Sequence, residues 1–177
     1  MQHHPKHMEC ITAKLEEMGV EVVEEDDTLL VRRIGQLQRA NIKTMPYPGF
    51  PTDMQSQMGA VLSMAQGTSV ITEGVWDNRY RYVDELRRMG ANIQVDEKTA
   101  IVEGVEKLTA APTQAYDLRA GAAMVIAALA AHGESEITGI HYIERGYEHI
   151  VEKLRGIGAD IREVETPDDT AAEANIG

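Results

Sequence analysis

One cysteine, one tryptophan and one phenylalanine stand among 177 residues, and each scarcity excludes something. A lone Cys10 permits no internal disulfide, so the fold must be held by burial, and a reducing cytoplasm is the expected compartment. Cations are also short: 17 Lys and Arg against 29 Asp and Glu give a formal net charge of −12. That balance argues against nucleic acid as a partner, because a phosphate backbone requires a basic face. The longest apolar run, Ala120 to Ala131, is alanine-rich and well short of the ~20 residues that span a bilayer. The opening Met1-Gln2-His3-His4-Pro5-Lys6 lacks the apolar core of a signal peptide, so neither membrane nor export is expected. His3, His4 and His7 have no second ligand set, and no metal or cofactor is expected.

What is present is a repeat. Pro5 to Glu17 reads as an amphipathic helix with Met8, Ile11, Leu15 and Met18 on one face, stopped by Gly19. Val20–Val23 and Thr28–Arg32 follow as a hairpin around Glu25-Asp26-Asp27. A second copy runs as a helix over Arg79–Arg88, Gly90, and strands over 91–95 and 99–103. A third runs as a helix over Tyr147–Arg155, Gly158, and a strand over Ala159–Val164. The glycines at 19, 90 and 158 lie 71 and 68 residues apart, the mark of one module packed several times around a shared core. Between the copies lies a second helix type, begun by Asp53 and again by Asp117. Each runs into a glycine and a strand, Gly67–Thr72 and Gly133–Thr138. The module is therefore β-α-β-α-β-β in an α/β fold. Its alanine-rich helix, bearing Leu118, Ala122, Val125, Ile126 and Leu129, is apolar nearly all round and is expected inside the sheets. The tail after Thr166 has no apolar stripe and reads as disordered.

Pro46-Tyr47-Pro48-Gly49-Phe50-Pro51 fixes the backbone ahead of a helix that can start only after Pro51. Thr52 or Asp53 is the natural N-cap, over a stripe of Met54, Met58, Val61, Leu62 and Ala65. Asp53 is then either a cap alone or a carboxylate held over a cleft as a general base. Four places join turn chemistry to ionisable groups: Asp53, Asn78-Arg79, Asp117-Leu118-Arg119 and Glu144-Arg145-Gly146-Tyr147. All are expected to open helices, where free N–H groups and an arginine fork suit phosphate or carboxylate. Asp117 capping its helix and Arg119 pairing with it is the simpler alternative.

Pro46 to Gln55, Gly67-Thr68, Ile71-Thr72-Glu73, Asn78-Arg79, Asp84 to Ala91, Asp117-Leu118-Arg119-Ala120 and Arg145-Gly146-Tyr147-Glu148 resemble, in order, the C-terminal part of the enolpyruvyl transferases that act on UDP-N-acetylglucosamine. The resemblance runs from about Pro5 to Glu163. It implies an inside-out α/β barrel domain built of repeated β-α-β-α-β-β units with buried helices. Residues 1–165 are then a partial transferase domain of units near 1–41, 42–105 and 106–165, the first incomplete, with 166–177 as tail. It also implies transfer of the enolpyruvyl group of phosphoenolpyruvate to the sugar 3′-hydroxyl, the first committed step of peptidoglycan synthesis. By the resemblance Asp53 is the base at that hydroxyl, and Val75 lines the nucleotide-sugar site. Asp117 is the second catalytic carboxylate, and Arg119 and Arg145 grip phosphoenolpyruvate. The family pattern has threonine and aspartate where this chain has Tyr116 and Glu144. A synthase acting on shikimate 3-phosphate fits the Phe50–Gln55 block less well.

The family's N-terminal lysine and asparagine, and its loop bearing a catalytic cysteine or aspartate, match nothing in the chain. Cys10 sits in the first helix and reads as a small buried residue. The expectation is therefore a folded chain that is inactive alone and needs the N-terminal domain in cis or trans. An apolar groove near Met8, Ile11 and Leu15 would favour self-association. A nucleotide-sugar-binding or regulatory module without turnover is the alternative.

Overall fold

The computed structural model describes residues 8–165, so His3, His4, His7, the start of the first helix and the tail lie outside it. Helix α1 (Glu9–Glu17) leads into a two-stranded antiparallel sheet, β1 (Val20–Glu25) with β2 (Thr28–Arg33). The next stretch holds the full module: β3 (Ile42–Lys43), α2 (Gln55–Leu62), β4 (Thr68–Thr72), α3 (Tyr82–Arg88), β5 (Asn92–Asp96) and β6 (Thr99–Glu103). These strands form one sheet ordered β3-β4-β6-β5, parallel only at β3–β4 where Ile42 faces Ile71. The last stretch repeats the opening of the module: β7 (Pro112–Gln114), α4 (Leu118–Ala130) and β8 (Glu136–Thr138), then α5 (His141–Glu144) and α6 (Ile150–Gly156).

The repeat holds down to single hydrogen bonds. Gly19, Gly90 and Gly158 sit at φ +85°, +92° and +100°, which only glycine adopts without strain. Their N–H groups donate to Glu16, Arg87 and Arg155 carbonyls at 2.9, 2.9 and 3.0 Å. The carbonyl of Met18 then accepts from Gln38 N–H at 3.0 Å, as that of Met89 accepts from Thr109 N–H at 2.9 Å. The same backbone junction thus returns after 71 residues.

Helices α2 and α4 pack on each other at the centre, as expected of helices short of charge. Met58, Ala60 and Leu62 are buried in one cluster with Ala120, Ala123, Met124 and Ala127, and the sheets add Ile71, Ala100 and Val102. The expected stripe is too narrow. Met58, Leu62 and Ala65 are buried, but so are Gln55, Ser56 and Gln57, because α2 is enclosed on most sides. Leu129, near the end of α4, is exposed.

Five expectations are corrected. Asp53 does not cap α2: it lies in a 3-10 turn, Thr52–Met54, that starts after the extended Pro51, and α2 begins at Gln55 without a side-chain cap. Helix α3 starts at Tyr82 instead of Arg79, because residues 79–81 form a turn after the left-handed Asn78. The third copy's helix is likewise delayed to Ile150 by His149 at φ +50°, and no strand forms over 159–164, where Ile161, like Tyr147, Ile150 and Leu154, packs against the cluster of Ala115, Val125 and Ile143 and no ladder partner is present among the described residues. Near α1 the expected groove is reduced among the described residues: Ile11 and Leu15 are partly buried against the core, and of the three named side chains Met8 alone is exposed. A group of exposed apolar side chains lies on the β1–β2 ribbon instead, at Val23, Leu30 and Val31, and at Ile34 just after it. Cys10 is half-buried, its thiol donating to the Pro48 carbonyl.

The parallel edge is closed by Glu73, 1% exposed at the end of β4. One carboxylate oxygen accepts from Thr44 Oγ1 at 2.7 Å and from the N–H groups of Val75 and Trp76 at 2.9 and 3.1 Å. The other accepts from Thr52 Oγ1 at 3.0 Å and Gln55 Nε2 at 3.3 Å. Burial disfavours its charge, but the bonds from Thr44, Val75, Trp76 and Thr52 outweigh burial and hold the carboxyl below its ordinary 4.5. The unfolded chain therefore takes up this proton at a higher pH than the folded one. Stability from Glu73 is full above about pH 4.5 and is lost as pH falls through the folded value. Urea midpoints followed against pH should fall on acidification, and less steeply in Glu73→Gln; parallel curves would contradict this assignment. A second check concerns Gly104, where an added Cβ would lie 1.6 Å from the Ala65 carbonyl oxygen, whereas at Gly35 it would meet nothing within 4 Å. Gly104→Ala should cost about 2 kcal/mol or more in urea unfolding, and Gly35→Ala less than about 0.5 kcal/mol.

Candidate functional site

The starts of α2 and α4 lie side by side, because the two helices pack against each other from their first turns. Ser56 Oγ in α2 donates to the Arg119 carbonyl in α4 at 3.0 Å. Two sequence segments 66 residues apart thereby meet, and Arg119 Nε donates to Asp53 Oδ1 at 2.5 Å. Arg119 thus pairs with Asp53 and not with Asp117. Asp117 caps α4 instead, its Oδ1 accepting from the N–H groups of Arg119 and Ala120 at 2.8 and 2.9 Å. This leaves Asp117 Oδ2 without a hydrogen-bond partner among the described residues.

Asp53 is 64% exposed and Arg119 34%, and a pair so wet contributes about 0–1 kcal/mol. That is weak enough for an incoming anion to take the guanidinium at small cost. The cleft beside the pair is lined by Thr52, Arg79, Arg81, Asp117 and Arg119. Three arginines at one opening of an acidic chain make a local positive field. Arg79 lies with its guanidinium 5.7 Å from the Trp76 ring centroid, and Arg81 5.1 Å from that of Tyr116, distances that suit cation–π contact.

The turn holding Arg145 is brought to the same end. A Cβ on Gly146 would lie 2.7 Å from Leu118 Cδ2, so glycine permits this turn to lie on the first turn of α4. Tyr147 OH accepts from Gln57 Nε2 at 3.3 Å. Arg145 itself ends α5 instead of opening a helix; it is exposed and forms no ion pair among the described residues. Val75 is not brought to this cleft. It sits half-buried on the loop after β4, its N–H spent on Glu73.

Sequence reasoning missed the supports of this site. Glu73 holds the Asp53 turn, and Glu85, 1% exposed on α3, does the like for Asp117: it accepts from Gln114 N–H and Tyr116 OH, both at 3.0 Å. The Tyr116 hydroxyl is pushed up by that bond to the Glu85 carboxylate. Nearby, Tyr80 is pushed up to about 12, by burial first and by the Glu73 charge second; its hydroxyl lies 3.0 Å from the carbonyls of both Ile71 and Lys98. A signal for Glu73 did exist, as an acidic residue ending the apolar strand Val70–Thr72. No group of three or more His, Cys, Asp or Glu residues able to hold a metal occurs among the described residues, and none of their helices is long and apolar enough to cross a membrane.

The sequence model of EPSP synthase (3-phosphoshikimate 1-carboxyvinyltransferase) matches residues 1–154. The chain is 55% identical over 157 residues to a UDP-N-acetylglucosamine 1-carboxyvinyltransferase of Clostridium botulinum, covering 89% of this chain and 38% of that protein. It is 54% identical over 171 residues to a protein of the same name from Desulfofundulus thermocisternus, covering 97% of this chain and 70% of that one. The chain therefore spans about 38% of the length of several of the curated relatives it matches. Among solved structures, the enolpyruvyl transferase NikO from Streptomyces tendae superposes with a TM-score of 0.82 at 30% identity, over 90% of this chain and 37% of that one. With its buried helix pair packed on the β3-β4-β6-β5 and β7–β8 sheets, its repeated module and these matches, the chain belongs to the EPSP synthase family of enolpyruvyl transferases and carries part of that family's inside-out α/β fold.

Proposed function

We propose that the chain is the part of a UDP-N-acetylglucosamine enolpyruvyl transferase that supplies the base, a second carboxylate and two anion-gripping arginines. The single observation that carries this is the pairing of Asp53 with Arg119 beside the Asp117-capped start of α4, in a chain whose curated relatives at 54–57% identity bear that enzyme's name. In this reading phosphoenolpyruvate binds with its phosphate and carboxylate on Arg119 and Arg145. Arg119 turns from Asp53 towards that anion, and the freed Asp53 carboxylate takes the proton from the sugar 3′-hydroxyl. Asp117, with one oxygen committed to the helix start, has the other available for proton transfer at the methylene carbon: that carbon is protonated as the 3′-oxygen bonds to the neighbouring enol carbon, and it gives the proton back as the C–O bond to phosphate breaks and phosphate leaves. Fixed cations and helix N–H groups then stabilise the charge that develops on the transferred group.

The remaining residues of the site come from the rest of the transferase, in cis or in trans, and Val75 serves the nucleotide sugar from its separate loop. The reading includes a cytoplasmic location, a role in peptidoglycan synthesis, and units near 1–41, 42–105 and 106–165. Self-association uses the exposed apolar residues of the β1–β2 ribbon, Val23, Leu30 and Val31.

The 177 residues alone should release no phosphate from phosphoenolpyruvate with the nucleotide sugar; release at the rate of a complete transferase overturns that. The residue roles are tested in a complete enzyme, this chain fused to the part of the Clostridium botulinum relative that it does not cover. There Asp53→Asn should lower turnover by about 10²- to 10⁴-fold with both substrates still bound. Arg119→Ala and Arg145→Ala should each weaken use of phosphoenolpyruvate, by about 2–4 kcal/mol in kcat/KM, and leave nucleotide-sugar affinity nearly unchanged. Near-normal turnover of Asp53→Asn overturns the base, and arginine variants that weaken the sugar overturn the anion assignment.

A further inference from the structure

We propose that Glu73 is a positioning residue for Asp53: its buried carboxylate, bonded to the side chains of Thr52 and Gln55 and to the backbone of Val75, holds the Asp53 turn and the Val75 loop in one fixed arrangement. The catalytic part of this inference rests on the reading of Asp53 given above; the geometric part does not.

The turn bearing Asp53 has little to hold it. It is three residues long, has no side-chain cap, and its backbone bonds are Met54 N–H to Pro51 and Gln55 N–H to Thr52. The residues flanking Asp53 are anchored elsewhere, since Thr52 Oγ1 and Gln55 Nε2 both donate to one oxygen of Glu73. The other oxygen takes Thr44 Oγ1 and the N–H groups of Val75 and Trp76. Thr44 Oγ1 in turn accepts from Gly74 N–H at 2.8 Å, and a Cβ at Gly74 would fall 2.4 Å from the Thr44 carbonyl. The chain crosses itself here at a distance only glycine allows, so Glu73 has no freedom to follow a moving turn.

All five partners donate, which suits an ionised carboxylate and nothing else of that size. A glutamine would offer one acceptor oxygen. Its oxygen must face the two backbone N–H groups, which cannot reverse, and its NH₂ is left facing Thr52 and Gln55. Those two must then turn round to accept, so the substitution loosens the Asp53 side and spares the Val75 side. Thr52→Val is narrower still: it removes one tie and leaves Glu73 four donors.

The test has two arms. In the 177-residue chain, ¹⁵N NMR should show the Arg119 Nε–H resonance shifted downfield by its bond to Asp53. In Thr52→Val and Glu73→Gln this resonance should move towards that of a solvated arginine while the amides of Ile71 and Val102 stay in place. An Arg119 resonance unmoved in both variants overturns the proposal whatever the kinetics show. In the complete fusion enzyme, Glu73→Gln should lower kcat by about 10- to 100-fold, the scale of an ångström-sized misplacement, with the KM for phosphoenolpyruvate unchanged. In an Asp53→Asn background the same substitution should change kcat by less than about twofold, because the two residues act as one unit. Equal losses in both backgrounds, or unaltered kcat in Glu73→Gln, overturn the positioning role. If Asp53→Asn itself turns over normally, the base assignment fails on its own and the NMR arm still decides whether Glu73 sets the turn.

Discussion

The contact between α2 and α4 is the constraint on which the rest depends. Both helices are nearly free of charge, and each would be insoluble as a surface element. Packed together they remove one another's apolar flanks from water and oblige the sheets to lie outside them. Because their first turns are in register, with Ser56 bonded to the Arg119 carbonyl, whatever precedes each helix is delivered to the same place. A carboxylate before α2 and an arginine in the first turn of α4 therefore become neighbours with no loop designed to join them. The site is a consequence of the helix pair, and its reagents stand at helix starts where unpaired N–H groups favour anions.

The same device supports each half. Glu73 and Glu85 are both 1% exposed, and both accept bonds from the segment that leads into a helix bearing a site carboxylate. Burying a carboxylate is costly unless it is fully bonded. Bonded in this way, each becomes a rigid acceptor that fixes exposed groups which could not fix themselves. The acidity of the chain is thus divided: part is solvated, and part holds the scaffold around a cluster of arginines.

Much of this was legible in the sequence. The glycine spacing implied a repeat, and Met18 with Gln38 and Met89 with Thr109 show that spacing reproduced as hydrogen bonds. Helix α4 could be read because an N-cap, an alanine-rich body and a following glycine are all local signals. What could not be read depended on distant partners. Whether Asp53 caps or pairs is decided by an arginine 66 residues away, and the surroundings of Glu73 by Thr44 and by the Thr52–Gln55 segment, which reach it only after folding. The expected strand over 159–164 had the right alternation, yet a strand is defined by its neighbour, and none is present among the described residues. The helix over 147–155 was misjudged locally, since nothing in the composition marks His149 as left-handed.

The most direct measurement is a crystal structure of the complete fusion enzyme with UDP-N-acetylglucosamine and an unreactive analogue of phosphoenolpyruvate bound. The account requires the sugar 3′-hydroxyl within hydrogen-bond reach of Asp53, about 2.6–3.2 Å, and the analogue's charged groups on Arg119 and Arg145. A complex in which both ligands are bound while Asp53 remains paired only with Arg119, and the sugar hydroxyl lies against another group, would contradict it.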